Sequence, residues 1–479
     1  RPSLVPAVEW REVHYPPALY KIFDEILVNA TDNKQRDEED GRTMDTLRVS
    51  VDVLSGRITV RNNGVPIPIR MHPEHGCVIP ELVFGHLLSG SNFDDKKEKV
   101  TGGRNGYGAK LTNIFSNEFT VSVRDTVSGK AYHQTWRSNM SNVGKARVTC
   151  LRTKKKEKED TLVGKRRTAS QEDFVEVSFV PDMSRFVGVD SLAAILPVLE
   201  RRVWDIAAVV GVAVKVNFNG RRVPVRSFRQ YAQIHGSRHT AVNKTMVRVP
   251  RTWSARVSDR WEIAVRASST GEQFEQVSFV NAVCTSRGGT HVEAIADQVA
   301  RYLAQEANKR THGKGAEVRA HHVRRHMCVL VNCLVPNPSF DSQTKDTLTS
   351  PRANLGAPRL DVEEHLGRIC SQTDVLSRVL SSGSERAARE LRVSGGATAR
   401  RKARLAGIPK LEDANFAGTF KGLKCTLILT EGDSAKALAM SGLTVVGRDK
   451  FGVFPLRGKL LNVRDASHQS ILANKETQD

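Results

Sequence analysis

The run Thr101-Gly102-Gly103-Arg104-Asn105-Gly106-Tyr107-Gly108-Ala109-Lys110 constrains this chain more than any other. Its glycines let the backbone approach a ligand closely. Behind them, Ala109 to Ile114 reads as a helix whose N-terminal amides can donate to phosphate oxygens. The order G-x-x-G-x-G is not the dinucleotide fingerprint G-x-G-x-x-G, and the run follows a loop instead of a strand. No Gly-Lys-Ser/Thr closes it, so it is not a P-loop either. Taken alone it serves a tight structural turn as readily as a nucleotide.

Two further constellations precede it. Leu19, Ile22, Phe23, Ile26, Leu27 and Ala30 recur at helical spacing from Pro17 to Ala30, and the turn-rich residues Asp37 to Gly41 end that pattern. Within it Glu25 and Asn29 stand four apart, on one helix face. A carboxylate beside an amide oxygen suits activation of a water and ligation of a hard cation, although a solvated face carries such a pair as easily. Next come alternating strands, Leu47 to Val53 and Arg57 to Val60, joined by Leu54-Ser55-Gly56 as a hairpin. The hairpin empties into Asn62-Asn63-Gly64, an ordinary turn or a place for a polar side chain to read an adenine edge.

The rest of the chain alternates in the same α/β manner. A helix is expected at Val78 to Ser89, then a polar loop from Gly90 to Thr101, and strands at 119–125, 131–137 and 174–180. Lys154 to Arg167 is a highly charged, solvated insertion. A second α/β unit starts near 225, with a strand at Gln276 to Asn281, a helix at His291 to Ala307 and a strand at Met327 to Leu334. A charge-rich helical connector follows over 361–405, and a third unit opens with the strand Cys425 to Thr430.

Charge supplies the clue to a partner. Lys and Arg number 73 against 52 Asp and Glu, a formal net charge of +21, which points to a polyanion such as nucleic acid. A membrane span needs about 18 or more apolar residues. The best run here, Ile206 to Val216, contains a lysine and reads as core. The seven cysteines show no C-x-x-C spacing and read as reduced thiols, not zinc ligands or disulfides.

In this order the three constellations resemble the Bergerat nucleotide site of the GHKL ATPases, the superfamily of gyrase B, Hsp90, MutL and the histidine kinases. The resemblance implies that ATP and Mg²⁺ are the cofactors and Glu25 the general base for water. It further implies that Asn29 carries Mg²⁺, Asn62 meets adenine, and Gly103, Arg104, Asn105, Gly106, Tyr107, Gly108, Ala109 and Lys110 form a lid over the phosphates. The second motif departs from the common Asp-x-Gly-x-Gly: it reads Asn62-Asn63-Gly64-Val65-Pro66.

Longer stretches narrow the branch. Tyr20 to Ala30 and Val100 to Ser116 are similar to eukaryotic-type DNA topoisomerase II almost letter for letter. Gly90-Ser91-Asn92 stands where that family contacts nucleotide, usually as Ser-Ser-Asn. Ser278-Phe279-Val280-Asn281, Thr285 to His291 and Phe340 to Lys345 resemble its transducer domain. There Gln343, Thr344 and Lys345 approach the nucleotide, and Lys345 reaches the terminal phosphate to offset charge in phosphoryl transfer. The basic loop Asn308 to Gly315, with Lys309, Arg310 and Lys314, is implied to sense DNA. Glu431-Gly432-Asp433-Ser434-Ala435-Lys436 and Phe454 to Asn462 resemble a TOPRIM module, making Glu431 a Mg²⁺ ligand at the cleavage site and Lys459 and Asn462 DNA contacts.

The expected fold class is therefore α/β: a GHKL α+β sandwich at 1–225, a transducer α/β domain of ribosomal-protein type at 226–395, a linker at 396–423, and the start of a Rossmann-like TOPRIM domain at 424–479. The expected function is ATP-dependent passage of one duplex through a transient break in another. Double-stranded DNA and a second identical subunit are the partners, and no membrane is involved. The family default is the nucleus, with the mitochondrion as the alternative. The D-x-D acids and nucleophilic tyrosine are expected beyond Asp479, and the subunit-swapped strap is absent or lies ahead of Arg1. This segment alone should hydrolyse ATP without cleaving DNA. The rival reading is an ATP-gated clamp that never cuts DNA, against which Glu431 and the Pro455-Leu456-Arg457-Gly458-Lys459 stretch speak.

Overall fold

Alternation of apolar and polar residues builds the first sheet. The computed structural model describes residues 11–40, 42–86, 100–102, 106–151, 172–235, 251–269, 273–311, 317–382 and 411–456. Strands β1 (Thr46–Asp52) and β2 (Arg57–Asn62) form the expected antiparallel hairpin, with Val49 opposite Val60. They are joined by β3 (Ser116–Asp125), β4 (Lys130–Arg137), β5 (Asn142–Val143), β6 (Arg147–Cys150), β7 (Phe174–Pro181), β8 (Lys215–Phe218) and β9 (Arg221–Arg222). The order is β5-β4-β3-β7-β2-β1-β8-β9, with β6 also on β4. Leu47, Val49, Val51, Ile58, Val60, Phe119, Val121, Val123, Val177 and Phe179 all point to one buried face. The other face carries polar cross-strand pairs: Arg57 with Glu118 at 2.9 Å and Thr59 with Ser178 at 3.0 Å.

Helices cover the apolar face. These are α1 (Pro17–Asp40), α2 (Ile79–Gly85), α3 (Gly108–Ile114) and α4 (Leu192–Val210). Helix α1 runs past Ala30 to Asp40, where the turn-rich segment lies. Phe119 anchors the aromatic part of the core, with Phe84 and Trp136 each 6.0 Å away and Phe179 at 6.4 Å.

The second sheet runs β10-β11-β15-β12-β13, made of β10 (Thr252–Ser258), β11 (Trp261–Ala267), β12 (Glu275–Val280), β13 (Val283–Cys284) and β15 (Met327–Cys333). A small parallel pair, β14 (Gly288–Gly289) and β16 (Thr347–Leu348), stands beside it. Strands β12 and β15 are parallel, and the long helix α6 (Thr290–Thr311) lies between them in the chain. Met327, Cys328, Val329, Leu330 and Val331 of β15 are fully buried, so both faces of this strand are covered. Helix α6 supplies one cover through Val292, Ile295, Val299 and Leu303. The other side joins the core of the first sheet, where Tyr231 of α5 (Phe228–His235) meets Phe279 edge-on at 6.0 Å. The two sheets thus belong to one compact unit reaching to Val379, which also contains α7 (Ala320–Arg324) and α8 (Gly367–Gln372).

A separate unit holds β17 (Thr426–Glu431), α9 (Gly432–Val446) and β18 (Phe451–Leu456). It is a βαβ element whose strands pair in parallel, with Glu431 opposite Leu456. Leu427 and Leu429 remain half exposed, as does much of α9.

The expected strands and helices over 47–137, 174–180 and 276–334 are found with boundaries shifted by a few residues. Helix α4 and strands β10 and β11 were not among the expected elements, although Leu192, Ile195, Leu199 and Val203 recur at helical spacing and Trp253, Ala255 and Val257 alternate with polar residues. The run Ile206 to Val216 straddles the end of α4, a turn at Gly211 and β8, and Val212 within it is exposed. Continuous apolarity has no repeat from which to tell a helix from a strand. Lys154 to Arg167 and 383–405 lie outside the described residues. All seven cysteines are free, and no described helix is long and apolar enough to cross a membrane.

Phe119→Ala should lower stability by about 3–5 kcal/mol, since it removes a fully buried ring that three aromatic neighbours cannot collapse upon. Denaturant unfolding of the full chain measures this.

Candidate functional site

Burying the apolar stripe of α1 against the first sheet turns Asp24 and Glu25 toward α3 and α4. Both carboxylates are almost fully buried, while Asn29, one turn further along, is exposed. Glu25 lies against the start of α3. A Cβ at Gly108 would sit 2.1 Å from its Oε2, so any larger residue there would displace the Glu25 carboxylate. Thr112 Oγ1 donates to the Ile22 carbonyl at 2.9 Å and fixes α3 on α1. The entrance to the glycine loop is held as firmly. Gly102 N donates to Asp32 Oδ1 at 2.9 Å, and a Cβ at Gly102 would fall 2.5 Å from Val28 Cγ1.

The turn after β2 is stapled to the same helix. Asn62, its last residue, is buried, and its Nδ2 donates to the Asn63 carbonyl at 3.0 Å. Asn63 Oδ1 accepts from the Asp45 and Thr46 amides. Asn33 of α1 pairs with both backbone groups of Val65, accepting from its N at 3.1 Å and donating to its O at 2.7 Å. Pro66 is buried next to it. A side chain of α1 therefore shapes this turn where a second glycine is usual in the resembled motif.

Lys345 comes from the loop that follows β15 of the second sheet. It sits just before β16 with a left-handed backbone (φ 60°) and is buried, while Gln343 and Thr344 are exposed. Its Nζ donates to Glu25 Oε1 at 2.9 Å and to the Gly102 carbonyl at 3.3 Å. Strain at a non-glycine left-handed residue persists only where neighbours hold it. Here Lys345 N donates to Ser342 O at 3.1 Å, and Asp346 accepts from Thr344 Oγ1 and Ser286 Oγ, each at 2.7 Å. From α1 itself, Lys21 Nζ lies 3.2 Å from Glu25 Oε1 and 3.3 Å from Asp24 Oδ2. The Glu25 carboxylate is thus flanked by two ammonium groups.

Electrostatics separates the neighbours. Burial alone would raise the Asp24 carboxyl, but Arg202 and Lys21 beside it hold it below the usual range. Burial would likewise depress Lys21, and Asp24 and Glu25 outweigh it and keep the ammonium above its ordinary value. Lys110, buried in α3 behind the glycine loop, is pushed by desolvation down to about 8.

Of the expected nucleotide residues, the structure brings together Glu25, Gly108 and Lys345, with Gly106, Tyr107, Ala109 and Lys110 following the same loop into α3. Gly90, Ser91, Asn92, Gly103, Arg104 and Asn105 lie outside the described residues, as do Lys314, Lys459 and Asn462. Lys309 and Arg310 are exposed at the C-terminal end of α6, where Lys309 Nζ donates to Glu306 at 2.7 Å. Glu431 is exposed at the junction of β17 and α9. Among the described residues, no group of three or more His, Cys, Asp or Glu side chains could hold a metal by itself. A cavity of about 330 Å³ opens near Asp32, Val210 and Trp261, but Glu25, Asn29 and Lys345 do not line it. Sequence reasoning passed over Lys21 and Arg202. The spacing of Lys21 four before Glu25 was readable, whereas Arg202 reaches Asp24 across 178 residues.

Residues 14–149 match the family described as histidine kinase-, DNA gyrase B- and HSP90-like ATPase, and residues 227–394 match DNA gyrase B. The chain is 44% identical to DNA topoisomerase 2 of Penicillium chrysogenum over 98% of its own length and 28% of that protein. It is 41% identical to human DNA topoisomerase 2-alpha, again over 98% of this chain and 28% of that one. It therefore spans less than a third of these curated relatives. Among solved structures, it resembles the ATPase and transducer domains of DNA topoisomerase II from Balamuthia mandrillaris (TM-score 0.68, 39% identity, 78% of this chain and 87% of that one). The ATPase region of Saccharomyces cerevisiae topoisomerase II matches with TM-score 0.65 and 34% identity, over 79% of this chain and 94% of that one.

The depressed Lys110 has a signed consequence. An ammonium whose folded value is lowered to about 8 costs stability below that pH, and the cost lifts as pH rises toward the ordinary lysine value. Lys110→Met should therefore flatten the rise in stability that the parent shows between about pH 8 and pH 10. Denaturant titrations at the two pH values test this.

Proposed function

Because the chain belongs to the DNA topoisomerase II family, we propose that it binds ATP between α1 and the glycine loop and hydrolyses it with Glu25 as general base. The observation that carries this reading is the meeting of Glu25 and Lys345 at 2.9 Å beside Gly102, although 320 residues separate them. A carboxylate and an ammonium at one point suit the two needs of phosphoryl transfer to water. Glu25 accepts the proton of the attacking water, and Lys345 offsets charge on the terminal phosphate oxygens. Lys345 arrives on a loop of the second sheet, so its engagement couples the nucleotide to that sheet's position. Amides at the start of α3 and the Lys110 ammonium face the phosphates, and Asn62 at the end of β2 meets the adenine.

Asn29 fits a Mg²⁺ role: it is an exposed carboxamide one turn beyond the base, and Mg²⁺ commonly takes one or two protein oxygens beside phosphate and water. When bound, the ion would neutralise phosphate charge.

For the longer protein that the relatives represent, the proposal extends to ATP-gated passage of one DNA duplex through another by a homodimer. The charge of +21 supports a nucleic-acid partner. Exposed Lys309 and Arg310, with Lys314 beyond them, are proposed to touch the captured duplex. Glu431 at the strand–helix junction is proposed as a Mg²⁺ ligand of the cleavage module, with Lys459 and Asn462 near the scissile phosphate. The module limits proposed are 1–225, 226–395 and 424–479.

Glu25→Gln should retain ATP binding while hydrolysis falls by about a hundredfold or more. Turnover near the parent rate would remove Glu25 as the base. Lys345→Ala should reduce kcat more than nucleotide affinity, read by steady-state ATPase beside equilibrium binding. Equal losses in both would contradict a role confined to the transition state.

A further inference from the structure

Arg202 lies in α4, 1% exposed, with a guanidinium that spans two modules. Its Nε donates to Asp24 Oδ1 at 2.6 Å, and its Nη2 donates to the Ala282 carbonyl, also at 2.6 Å. Its Nη1 is 4.0 Å from Asp205 and makes no hydrogen bond. Asp24 immediately precedes Glu25 on α1. Ala282 belongs to the two-residue turn joining β12 and β13, where Asn281 and Ala282 both take left-handed backbones (φ 49° and 64°).

That turn has other attachments besides Arg202. The Asn281 carboxamide grips the Val335 backbone, accepting from its N at 2.8 Å and donating to its O at 2.9 Å. It also donates to the Thr101 carbonyl at 3.3 Å, just before the glycine loop. The Asn281 carbonyl lies 2.8 Å from where a Cβ on Gly102 would stand. Val335 opens the segment that runs on to Lys345. One turn therefore meets the entrance to the glycine loop, the chain leading to Lys345 and, through Arg202, the helical turn that carries Glu25.

A buried ion pair is weak support for stability, because apolar residues of similar volume often serve as well. What a doubly hydrogen-bonded guanidinium supplies is direction, since its planar fork fixes both partners at once. We propose that Arg202 is a positioning residue for ATP hydrolysis: by joining Asp24 to the Asn281–Ala282 turn, it makes Glu25 and Lys345 approach the nucleotide as one unit. This rests on the reading of Glu25 as base. Arg202 touches neither water nor phosphate and acts through the two elements it ties.

Arg202→Lys separates the links, because an ammonium can still neutralise Asp24 but lacks the second arm to Ala282. Asn281→Gly keeps the left-handed backbone and deletes the carboxamide ties on the opposite side of the turn. Both are made in the full chain, with thermal unfolding to report folding, and compared with Lys345→Ala, each double variant and Glu25→Gln. The expected result is a kcat lowered about ten- to a hundredfold with nucleotide affinity within about threefold of the parent. Adding Lys345→Ala to either variant should cost little more than Lys345→Ala alone, since both break one coupled unit. Parent-like kcat, equal losses in affinity and kcat, additive double variants, or unfolding of both variants would each overturn the proposal. Turnover by Glu25→Gln would instead strike the base assignment. An inactive Glu25→Gln beside fully active Arg202→Lys and Asn281→Gly would strike this inference alone.

Discussion

The contact on which the site depends is a buried carboxylate held between two ammonium groups. Removing an ion from water costs on the order of several kcal/mol even after relaxation. Glu25 therefore needs cationic partners, and it has Lys21 from its own helix and Lys345 from the loop that follows β15 of the second sheet. The second partner gives the contact mechanical meaning. A lysine that must cross from another sheet to satisfy the carboxylate makes the site complete only when that sheet is in place.

The core makes the same demand. Strand β15 is buried on both faces, which a lone five-stranded sheet with one helix could not achieve. The second cover comes from the core shared with the first sheet, where Tyr231 of α5 meets Phe279 of β12. Some buried titratable groups of the second module are uncharged: His291 is depressed to about 3 by burial, and the Cys328 thiol is pushed up to about 12. They pack as neutral side chains. The βαβ unit at 411–456 shows the reverse case. Leu427 and Leu429 stay half exposed because two strands and one helix enclose too little surface to bury them.

Much of the fold was legible because its strands alternate. β1, β2, β3, β4 and β7 each have one wet and one dry face, and a period of two survives in their letters. Strand β11 is buried at all but one position and so loses the contrast that marks a period, whereas α4 and β10 do carry periods in their letters, at Leu192, Ile195, Leu199 and Val203 and at Trp253, Ala255 and Val257. The site divides along a similar line. Glu25, Asn29 and the glycine loop are local patterns. Gly108 could be recognised as a glycine, but not as the residue that makes room for Glu25 Oε2.

By itself, then, the sequence determined the residue types for nucleotide chemistry, the alternation of elements that carries them, and the basic charge suited to a polyanion. Only the tertiary structure decided that Asn33 shapes the turn at Pro66, that Lys345 reaches Glu25, and that Arg202 joins Asp24 to the Asn281–Ala282 turn. The physical reason is range. Helical and strand periods act over a few residues and leave their mark in the letters, whereas these bonds span 32, 320 and 178 positions. The Asn33 and Asp24 bonds need the helices packed on the first sheet, and those to Lys345 and Ala282 exist only after the second sheet has closed on the same core.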